Sequence, residues 1–337
     1  MIQNLWKGSS LAHRIGRAAL APLEGVYRSA VAVRGELFDR GVLRVTPSPI
    51  DVVSVGNVTV GGTGKTPVSA YLAARLSALG RKPAIVLRGY GDDEPMVHAR
   101  LNPDVPVIVD ADRVRGIRSA ADGGADVAVL DDGFQHRRAG RSLDLLLVSA
   151  DDWTGSQRML PAGPYRESPE AIRRASSVIV TVKAASDSAV DEVSRWVSLV
   201  APSVPVAVAR LVPTELIRVV PPGETRSVDS LEAQRIVAVA AVGNPGAFFR
   251  QLESLGASVI PAPFGDHHAF TPADLERIGR LGRGAAYVVC TLKDAVKIAP
   301  LWPASNGPLW YVSLSVEVES GAVLLDDLLR RLPGRPG

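Results

Sequence analysis

The stretch VGNVTVGGTGKTP, residues 55–67, joins an apolar run, a glycine-rich turn and the start of a helical pattern. Backbone N–H groups of such a turn converge on phosphate oxygens, Lys65 can reach the β- and γ-phosphates, and the Thr66 hydroxyl can bind Mg²⁺. Thr59 stands where the usual P-loop pattern has glycine, so the match is a variant. The alternative is an ordinary glycine-rich turn with an exposed lysine. We predict a nucleotide-phosphate site whose loop glycines are Gly61, Gly62 and Gly64.

A second candidate part of the site is VAVLDDGFQH, residues 127–136. Asp131 and Asp132 end an apolar strand pattern there, and a phosphate loop usually needs a neighbouring carboxylate to hold its metal. Paired carboxylates at a strand end are also common as helix caps or in solvated turns. His136 is either a structural histidine or a contact to substrate or phosphate. Next to the phosphate loop, the two aspartates predict a metal site.

Short apolar runs alternate with amphipathic stretches from residue 51 onward, the pattern of a mostly parallel sheet covered by helices. Strands are predicted at 51–57, 83–89, 105–110, 125–133, 143–150 and 176–182. A second alternating block covers 235–245, 248–256, 285–298 and 308–318 and ends on a helical tail. We predict an α/β fold in which a P-loop domain is followed by a smaller α/β domain. The predicted units are an N-terminal amphipathic helical segment (1–45), the P-loop domain (46–202), a linker of extended strands (203–234) and the smaller domain (235–337).

The composition supports a folded chain of about two domains. The chain has 337 residues, of which 46% are hydrophobic and 22% charged, so disorder, collagen-like repetition and a polytopic membrane protein are disfavoured. Cys290 is the single cysteine, which excludes an internal disulfide and a cysteine-based zinc site, and the cytosol is the simplest compartment. The net charge of +3 is too uneven in its placement for a general nucleic-acid binder, and we expect no nucleic-acid partner.

The N-terminal segment carries most of that charge imbalance. Residues 1–50 contain seven Lys or Arg and three acidic residues, a net charge of +4, whereas the rest of the chain nets −1. Apolar residues recur in steps of three and four and form one helical stripe. Its members are Ile15, Ala19, Leu23, Val26, Ala30, Val33 and Leu37. No window reaches 18 apolar residues, so the segment is expected either to pack as a helix pair on the first domain or to lie on an anionic membrane surface.

Seven motifs together resemble the tetraacyldisaccharide 4′-kinase (lipid A 4′-kinase) family. They stand in the family's order and span nearly the whole chain. The motifs are VGNVTVGGTGKTP (55–67), RGYG (88–91), DDEP (92–95), DDGFQH (131–136), LPAGPYRE (160–167), GDHHAF (265–270) and TLKDAVK (291–297). The combination of the variant P-loop with DDGFQH and LPAGPYRE is far more specific than any one motif.

The resemblance implies an activity, cofactors and a location. It implies transfer of the γ-phosphoryl group of ATP, with Mg²⁺, to the 4′-hydroxyl of a tetraacylated glucosamine disaccharide 1-phosphate, giving lipid IVA in lipid A biosynthesis. It also implies that the protein acts at the cytoplasmic face of the inner membrane. That location favours the interpretation in which the N-terminal segment lies on the membrane surface. The partners expected are the glycolipid and the membrane surface, and no protein partner is evident.

The resemblance also implies roles for single residues. Asp93 matches the catalytic base and His267 the histidine that pairs with it. Asp92 stays an alternative because RGYG runs directly into DDEP, where the family usually has a longer insertion, and His268 stays an alternative because it is adjacent to His267 in GDHH. Leu292 stands where glutamate is more usual in TLKDAVK, so Lys293 and the aspartate after it are interpreted as capping the turn. The other implied residues fall into four groups: Thr63 beside the nucleotide; Asp131, Asp132 and Glu167 with Thr66 at the metal; Arg166 on the transferred phosphate; and Tyr90, Arg113, Gln135 and His136 at the substrate.

Two other functions remain open at this point. A P-loop NTPase that acts as a regulatory or assembly factor would use the N-terminal helix to bind a partner and would not need Asp93 and His267. A membrane scaffold with a vestigial nucleotide site is disfavoured because Lys65, Thr66 and both aspartates of DDGFQH are present.

Overall fold

One twelve-stranded sheet runs through the computed structural model, which describes residues 5, 6, 8, 10–89 and 93–334. The strands are β1 (Asp51–Asn57), β2 (Pro83–Leu87), β3 (Val107–Val109), β4 (Val127–Asp131), β5 (Leu143–Ser149), β6 (Ser177–Val182), β7 (Val206–Val220), β8 (Thr225–Ser227), β9 (Arg235–Ala240), β10 (Ser258–Pro263), β11 (Tyr287–Thr291) and β12 (Leu309–Ser320). Their order across the sheet is β10-β9-β11-β12-β7-β6-β5-β1-β4-β2-β3, with β8 on β7. All neighbours are parallel except β7 with β12 and β7 with β8, which confirms the predicted α/β class with a mostly parallel sheet.

Helices cover the sheet, and several begin at side-chain caps that the sequence supplies. They are α1 (Leu11–Ala19), α2 (Ala21–Asp39), α3 (Lys65–Ala78), α4 (Asp93–Leu101), α5 (Arg113–Asp122), α6 (Asp187–Val200), α7 (Pro245–Ser254), α8 (Pro272–Leu281), α9 (Leu292–Ile298) and α10 (Ala322–Arg330). Thr271 forms a capping box with Asp274 before α8, and Thr291 accepts a hydrogen bond from the Asp294 N–H at the start of α9. These caps satisfy N–H groups that have no partner within the helix.

We call the part of the chain up to β6 the N-terminal half and the part from β9 onward the C-terminal half. The centre of the N-terminal half is β1, whose seven residues are all buried. It pairs in parallel with β4 on one side and β5 on the other, so strands rich in Val, Ile and Leu are shielded on both faces. Because β1 and β4 run in the same direction, their carboxyl ends meet at one edge of the sheet. Ligands in open parallel sheets bind at this edge.

The stretch 203–234, expected as a linker of extended strands, contains the long strand β7. It pairs in parallel with β6 of the N-terminal half and antiparallel with β12, which in turn pairs with β11 of the C-terminal half. A single sheet therefore continues from one half to the other, and the domain boundaries themselves stay a prediction. The C-terminal half adds the parallel strands β9, β10 and β11 with its own hydrophobic cores.

The N-terminal segment forms the helices α1 and α2, which are separated at Leu20. A proline stands in the first turn of α2. Glu24 is buried and accepts a hydrogen bond from the Met159 N–H at 2.8 Å, and the Tyr27 hydroxyl donates to the Arg166 carbonyl at 3.0 Å. The predicted apolar stripe stays uncovered, with exposures of 61% at Ile15 and 70% at Val26. Within the described part of the chain, no helix combines the length and the apolar character that crossing a membrane requires.

Candidate active site

The motifs meet at the carboxyl edge of the sheet, between the two halves. An open cleft of about 830 Å³ lies there, lined by Lys65, Thr66, Arg88, Asp93, Arg113, Asp131, Asp132, Arg166 and His267, among others. An inner chamber of about 260 Å³ lies behind the phosphate loop, between residues 61–67 on one side and the C-terminal half on the other. Its lining includes five apolar side chains: Leu211, Val242, Phe248, Val312 and Leu314. The geometry offers a charged compartment next to an apolar one.

The glycine-rich turn has the backbone of a phosphate-binding loop. Gly64 adopts the left-handed conformation (φ 79°) at the N-cap of α3, and a Cβ there would lie 2.7 Å from Leu211 Cδ1. Gly61 also has a positive φ, of 137°, which side chains rarely allow. Thr63 is buried and its carbonyl accepts a hydrogen bond from the Thr181 hydroxyl at 2.9 Å. The loop is thus held rigidly at the N-terminus of a 14-residue helix, a favourable place for an anion.

Lys65 and Arg166 converge on Asp132. The two Nη atoms of Arg166 donate to the carboxylate at 3.1 and 2.9 Å, and Lys65 Nζ lies 3.7 Å from Oδ1. Burial alone would raise the pKa of Asp132, but the two cations outweigh it and hold that pKa well below its usual range. Asp132 is one of the few non-glycine residues with positive φ (56°) among those the structure describes. The phosphate loop thus faces two cations that Asp132 holds in place.

Asn57, at the end of β1, connects three of the motifs. Its side-chain oxygen accepts hydrogen bonds from Lys65 Nζ at 3.2 Å and from Arg166, and its side-chain nitrogen donates to the Thr59 carbonyl at 2.7 Å. Its own carbonyl accepts from Gln135 Nε2 at 2.9 Å. The sequence analysis did not single out Asn57, although its place inside the phosphate-loop motif was a signal. It fixes the P-loop, DDGFQH and LPAGPYRE relative to one another.

Asp131 and Glu167 each keep a buried oxygen that has no hydrogen-bond partner among the described residues. Asp131 Oδ2 is 2.8 Å from Nε2 of the buried His98, which leaves Oδ1 unpartnered. Arg174 donates to Glu167 Oε2 at 2.9 Å and leaves Oε1 unpartnered. In the chain segments that the structure describes, no group of three His, Cys, Asp or Glu is close enough to form a metal cluster. The four predicted metal residues therefore do not form a closed protein cage.

Asp93 and His267 face each other across the cleft. Asp93 begins α4 and is 4% exposed, and neither carboxylate oxygen has a hydrogen bond with any residue that the structure describes. Oδ2 lies 3.8 Å from His267 Nδ1 and 3.8 Å from Lys293 Nζ. His267 has a positive φ of 56°, a conformation that is uncommon outside glycine and that clusters at functional sites. Glu94 is the next residue of α4, and burial together with the nearby Asp131 raises its pKa, although Lys293 opposes the shift.

His268 is directed to a different environment. Its Nε2 is 3.0 Å from Asp274 Oδ2 in the α8 capping box, and its ring packs between Phe264 and Phe270. Asp92 and Tyr90, the other alternative base and one of the predicted substrate residues, lie outside the described residues. Of the two histidines, the structure therefore brings His267 to Asp93.

The remaining predicted substrate residues lie around the same edge. Arg113 begins α5, is buried, and donates to the Asp110 carbonyl at 2.9 Å while lining the open cleft. His136 is half-buried, and burial, with Arg113 and other arginines nearby, lowers its pKa to about 4. It is therefore neutral at pH 7, so it can both donate and accept hydrogen bonds. Gln135 donates to the base of the phosphate loop, as described above.

Two lysines of the site were missed or given a lesser role from sequence. Lys183, after β6, donates to the Gly62 carbonyl at 2.7 Å, and burial lowers its pKa despite two nearby aspartates. Lys293, interpreted as part of a helix cap, reaches the Asp93–His267 pair. No motif carried Lys183, whereas TLKDAVK was a signal for Lys293.

Comparison with known proteins identifies the family of this chain. A family model described as "Tetraacyldisaccharide-1-P 4'-kinase" matches residues 16–333. The chain belongs to this family. Among tetraacyldisaccharide 4′-kinases, that of Anaeromyxobacter dehalogenans (strain 2CP-C) is 38% identical over 94% of this chain and 91% of its own length. That of Aromatoleum aromaticum is 36% identical over 98% and 97%.

A crystal structure of a member of the tetraacyldisaccharide 4′-kinase family has the same fold. LpxK from Aquifex aeolicus, described in complex with ATP, superposes with a TM-score of 0.72 at 28% identity and covers 94% of this chain and 99% of its own. The family resemblance drawn from seven motifs is thereby confirmed.

Proposed function

We propose that this protein transfers the γ-phosphoryl group of ATP to the 4′-hydroxyl of a tetraacyldisaccharide 1-phosphate, the step that gives lipid IVA in lipid A biosynthesis. Family membership supports the acceptor, and the site supports the chemistry. The observation that carries the proposal is that one cleft holds the phosphate-loop Lys65 and, on a neighbouring helix, the buried carboxylate of Asp93. A donor phosphate and an acceptor hydroxyl can meet there.

ATP binds with its phosphates on residues 61–66 and its base toward the inner chamber. The loop from Gly61 to Gly64 and the α3 N-terminus receive the phosphates, and Lys65 supplies a positive charge. Arg166, already beside Lys65 through their shared Asp132, neutralises charge on the transferred group. The apolar lining around Leu211 and Phe248 suits the flat face of a nucleobase.

Asp93 serves as the general base and His267 orients it. A carboxylate with two unpartnered oxygens can accept the hydrogen bond, and then the proton, of a sugar hydroxyl that enters the cleft. His267 lies within ion-pair distance of the same carboxylate at 3.8 Å. Because Asp93 belongs to the N-terminal half and His267 to the C-terminal half, this step needs both halves in contact.

Thr66, Asp131, Asp132 and Glu167 are the residues that would hold Mg²⁺. Magnesium in kinase sites commonly uses one or two carboxylates together with phosphate oxygens and water, so no closed protein cage is needed. Asp131 and Glu167 fit because each has a buried oxygen without a partner in the described part of the chain. Both oxygens of Asp132 accept from Arg166, so Asp132 would bind the ion through its remaining lone pairs. When bound, the ion neutralises charge on the phosphates.

The exposed apolar stripe of α1 and α2 supports a location at the cytoplasmic face of the inner membrane. Side chains such as Leu11, Ile15 and Val26 are more than half exposed, and the surrounding segment is basic. The Tyr27 hydroxyl bonds the Arg166 carbonyl, so the helix that meets lipid is attached to the candidate site. The acyl chains can stay in the bilayer while the sugar reaches the cleft, where Tyr90, Arg113, Gln135 and His136 are the proposed substrate contacts.

Transfer of labelled γ-phosphate from Mg-ATP to tetraacyldisaccharide 1-phosphate in detergent micelles tests the activity. We expect label on the lipid with the wild type and a loss of about 100-fold or more with Lys65→Ala, because that change removes a charge that stabilises the transition state. Circular dichroism of the variant checks that it folds. Free phosphate without labelled lipid would refute the kinase proposal and favour the regulatory NTPase.

Sedimentation with anionic phospholipid vesicles tests the membrane proposal separately. Val26→Ser removes an apolar group that is 70% exposed, so folding should be retained while vesicle binding weakens. Leu199→Ser, which removes an 80% exposed side chain from α6 outside the N-terminal segment, is the matched control. Equal binding by both variants would refute a lipid contact at Val26.

A further inference from the structure

Lys293 lies where it can decide which ring nitrogen of His267 carries the proton. Its Nζ is 3.2 Å from His267 Nε2, while the other ring nitrogen, Nδ1, faces Asp93 Oδ2 at 3.8 Å. An ammonium group carries only donors, so in this contact Nε2 must be the acceptor. In a neutral imidazole the proton then sits on Nδ1, directed at Asp93.

A competing group makes this arrangement depend on Lys293. Asp266 Oδ1 lies 4.0 Å from the same Nε2. A carboxylate there would draw the ring proton to Nε2 and leave Nδ1 as an acceptor facing the negative Asp93. Lys293 is closer to Nε2 than Asp266 is, and its positive charge opposes that outcome.

The backbone around Lys293 is fixed. Thr291 caps α9, its hydroxyl donates to Asp294 Oδ2 at 2.7 Å, and the buried Asp294 also accepts from the Ala241 N–H at 3.0 Å. Lys293 therefore projects from a first helical turn that is bonded to the end of β9. Groups held on such an element keep their geometry better than groups on a free loop.

We propose that Lys293 is a positioning residue that holds His267 in the tautomer whose Nδ1–H faces Asp93. This inference rests on the proposed function, in which Asp93 is the base and His267 orients it. Lys293 acts through His267 and does not itself accept or donate the transferred proton. Its ion-pair distances to Asp93 (3.8 Å) and Glu94 (3.6 Å) place one cation among three groups of the site.

The tautomer can be measured without any substrate, by nitrogen-15 NMR of histidine side chains in the full-length protein. The chain has five histidines, and His267→Asn assigns the signal by its disappearance. We expect the wild type to show Nδ1–H and Lys293→Met to shift toward Nε2–H. Lys82→Met is the matched control, because it removes the same kind of side chain from an exposed position just before β2, outside the site. It should leave the His267 tautomer unchanged.

Kinetics separate positioning from a purely structural role. We expect Lys293→Met to lower kcat about 10–100-fold, the usual cost of losing a group that orients a catalytic side chain, with KM for ATP changed less than about threefold. Lys293→Arg, which keeps donors and charge, should recover part of kcat. Adding Lys293→Met to His267→Asn should cause little further loss, because both changes break one chain of interactions.

The outcomes are distinguishable. An Nε2–H tautomer in the wild type, or an unchanged tautomer in Lys293→Met, would overturn the inference whatever the activity. Full additivity of the two substitutions would also overturn it. Glu94→Gln removes the ion pair between Lys293 and Glu94. If it lowers kcat as much as Lys293→Met does, Lys293 acts by holding the two halves in contact and not through His267, and the inference is overturned. Absence of lipid phosphorylation by the wild type would refute the proposed function and leave the tautomer result standing.

Discussion

Replacing Gly243 by alanine tests whether the turn between β9 and α7 positions the phosphate loop. A Cβ at Gly243 would lie 2.9 Å from the Gly62 backbone nitrogen and 3.4 Å from the Gly61 Cα. Both contacts are with backbone, so no side-chain rotation relieves them. The nearby hydrogen bond from Asn244 Nδ2 to Asp152 at 2.8 Å holds the same turn against the N-terminal half.

The size of the effect follows from the distances. Restoring an ordinary contact of 3.4 Å requires one loop to retreat by about 0.5 Å, because close-packed backbone does not compress. A displacement of about 1 Å can cost about 100-fold in rate, so half of it predicts about a tenfold loss in kcat/KM for ATP, equal to about 1.4 kcal/mol. The loss should fall on the nucleotide step, since the cleft around Asp93 is not touched.

The assay is the initial rate of lipid phosphorylation over a Mg-ATP titration, combined with thermal unfolding. Gly246→Ala is the matched control: it lies three residues further along, in α7, and its Cβ would meet side-chain atoms alone, Arg250 Nη1 at 3.4 Å and Asn244 Oδ1 at an ordinary contact distance of 3.6 Å. We expect the control to keep its activity and to gain up to about 1 kcal/mol from a restricted unfolded chain. A Gly243→Ala enzyme within twofold of the wild type in kcat/KM for ATP would refute the reasoning.

Two further predictions concern single groups of the site. Asp93→Asn should lower kcat by about 100-fold or more with little change in nucleotide affinity, because an amide cannot accept the proton. Single-turnover rates measure the chemical step, and nucleotide titration measures the affinity. A larger loss in Asp92→Asn would show that Asp92 is the base. His136 should destabilise the fold in acid: its folded pKa of about 4 lies below the usual value near 6.5, so the unfolded chain binds the proton more readily and the free energy of unfolding falls as pH drops from about 6.5 to 4. Thermal unfolding of His136→Asn should therefore show a weaker pH dependence over that range, and parallel curves for the two proteins would contradict the assignment.

The phosphate loop could be predicted from sequence because its signal is local. A strand, positive-φ glycines, a lysine and a helix follow one another within residues 51–78, and each follows from its own residue pattern. The capping role expected of the residue after Lys293 is confirmed for the same reason, since Asp294 bonds Thr291 three residues earlier.

What the sequence could not predict depends on contacts between distant residues. The stretch 203–234 shows two extended pieces, but only pairing with β6 and β12 makes a 15-residue strand of them. The approach of Lys293 to Asp93 joins residues 200 positions apart, so no local pattern reports it. The choice between two adjacent histidines likewise depends on which one faces α4, which the backbone at His267 decides.

The antiparallel pair of β7 and β12 determines how the two halves can move. Because both strands belong to one hydrogen-bonded ribbon, a change of angle between the halves must twist or bend that ribbon. The halves therefore cannot rotate about a single flexible loop. The ribbon has a soft point: Pro213 lacks an N–H to donate and stands beside a register shift at Ser313, and the next two residues of β7 are exposed. A change of angle between the halves would therefore bend the sheet first at this point.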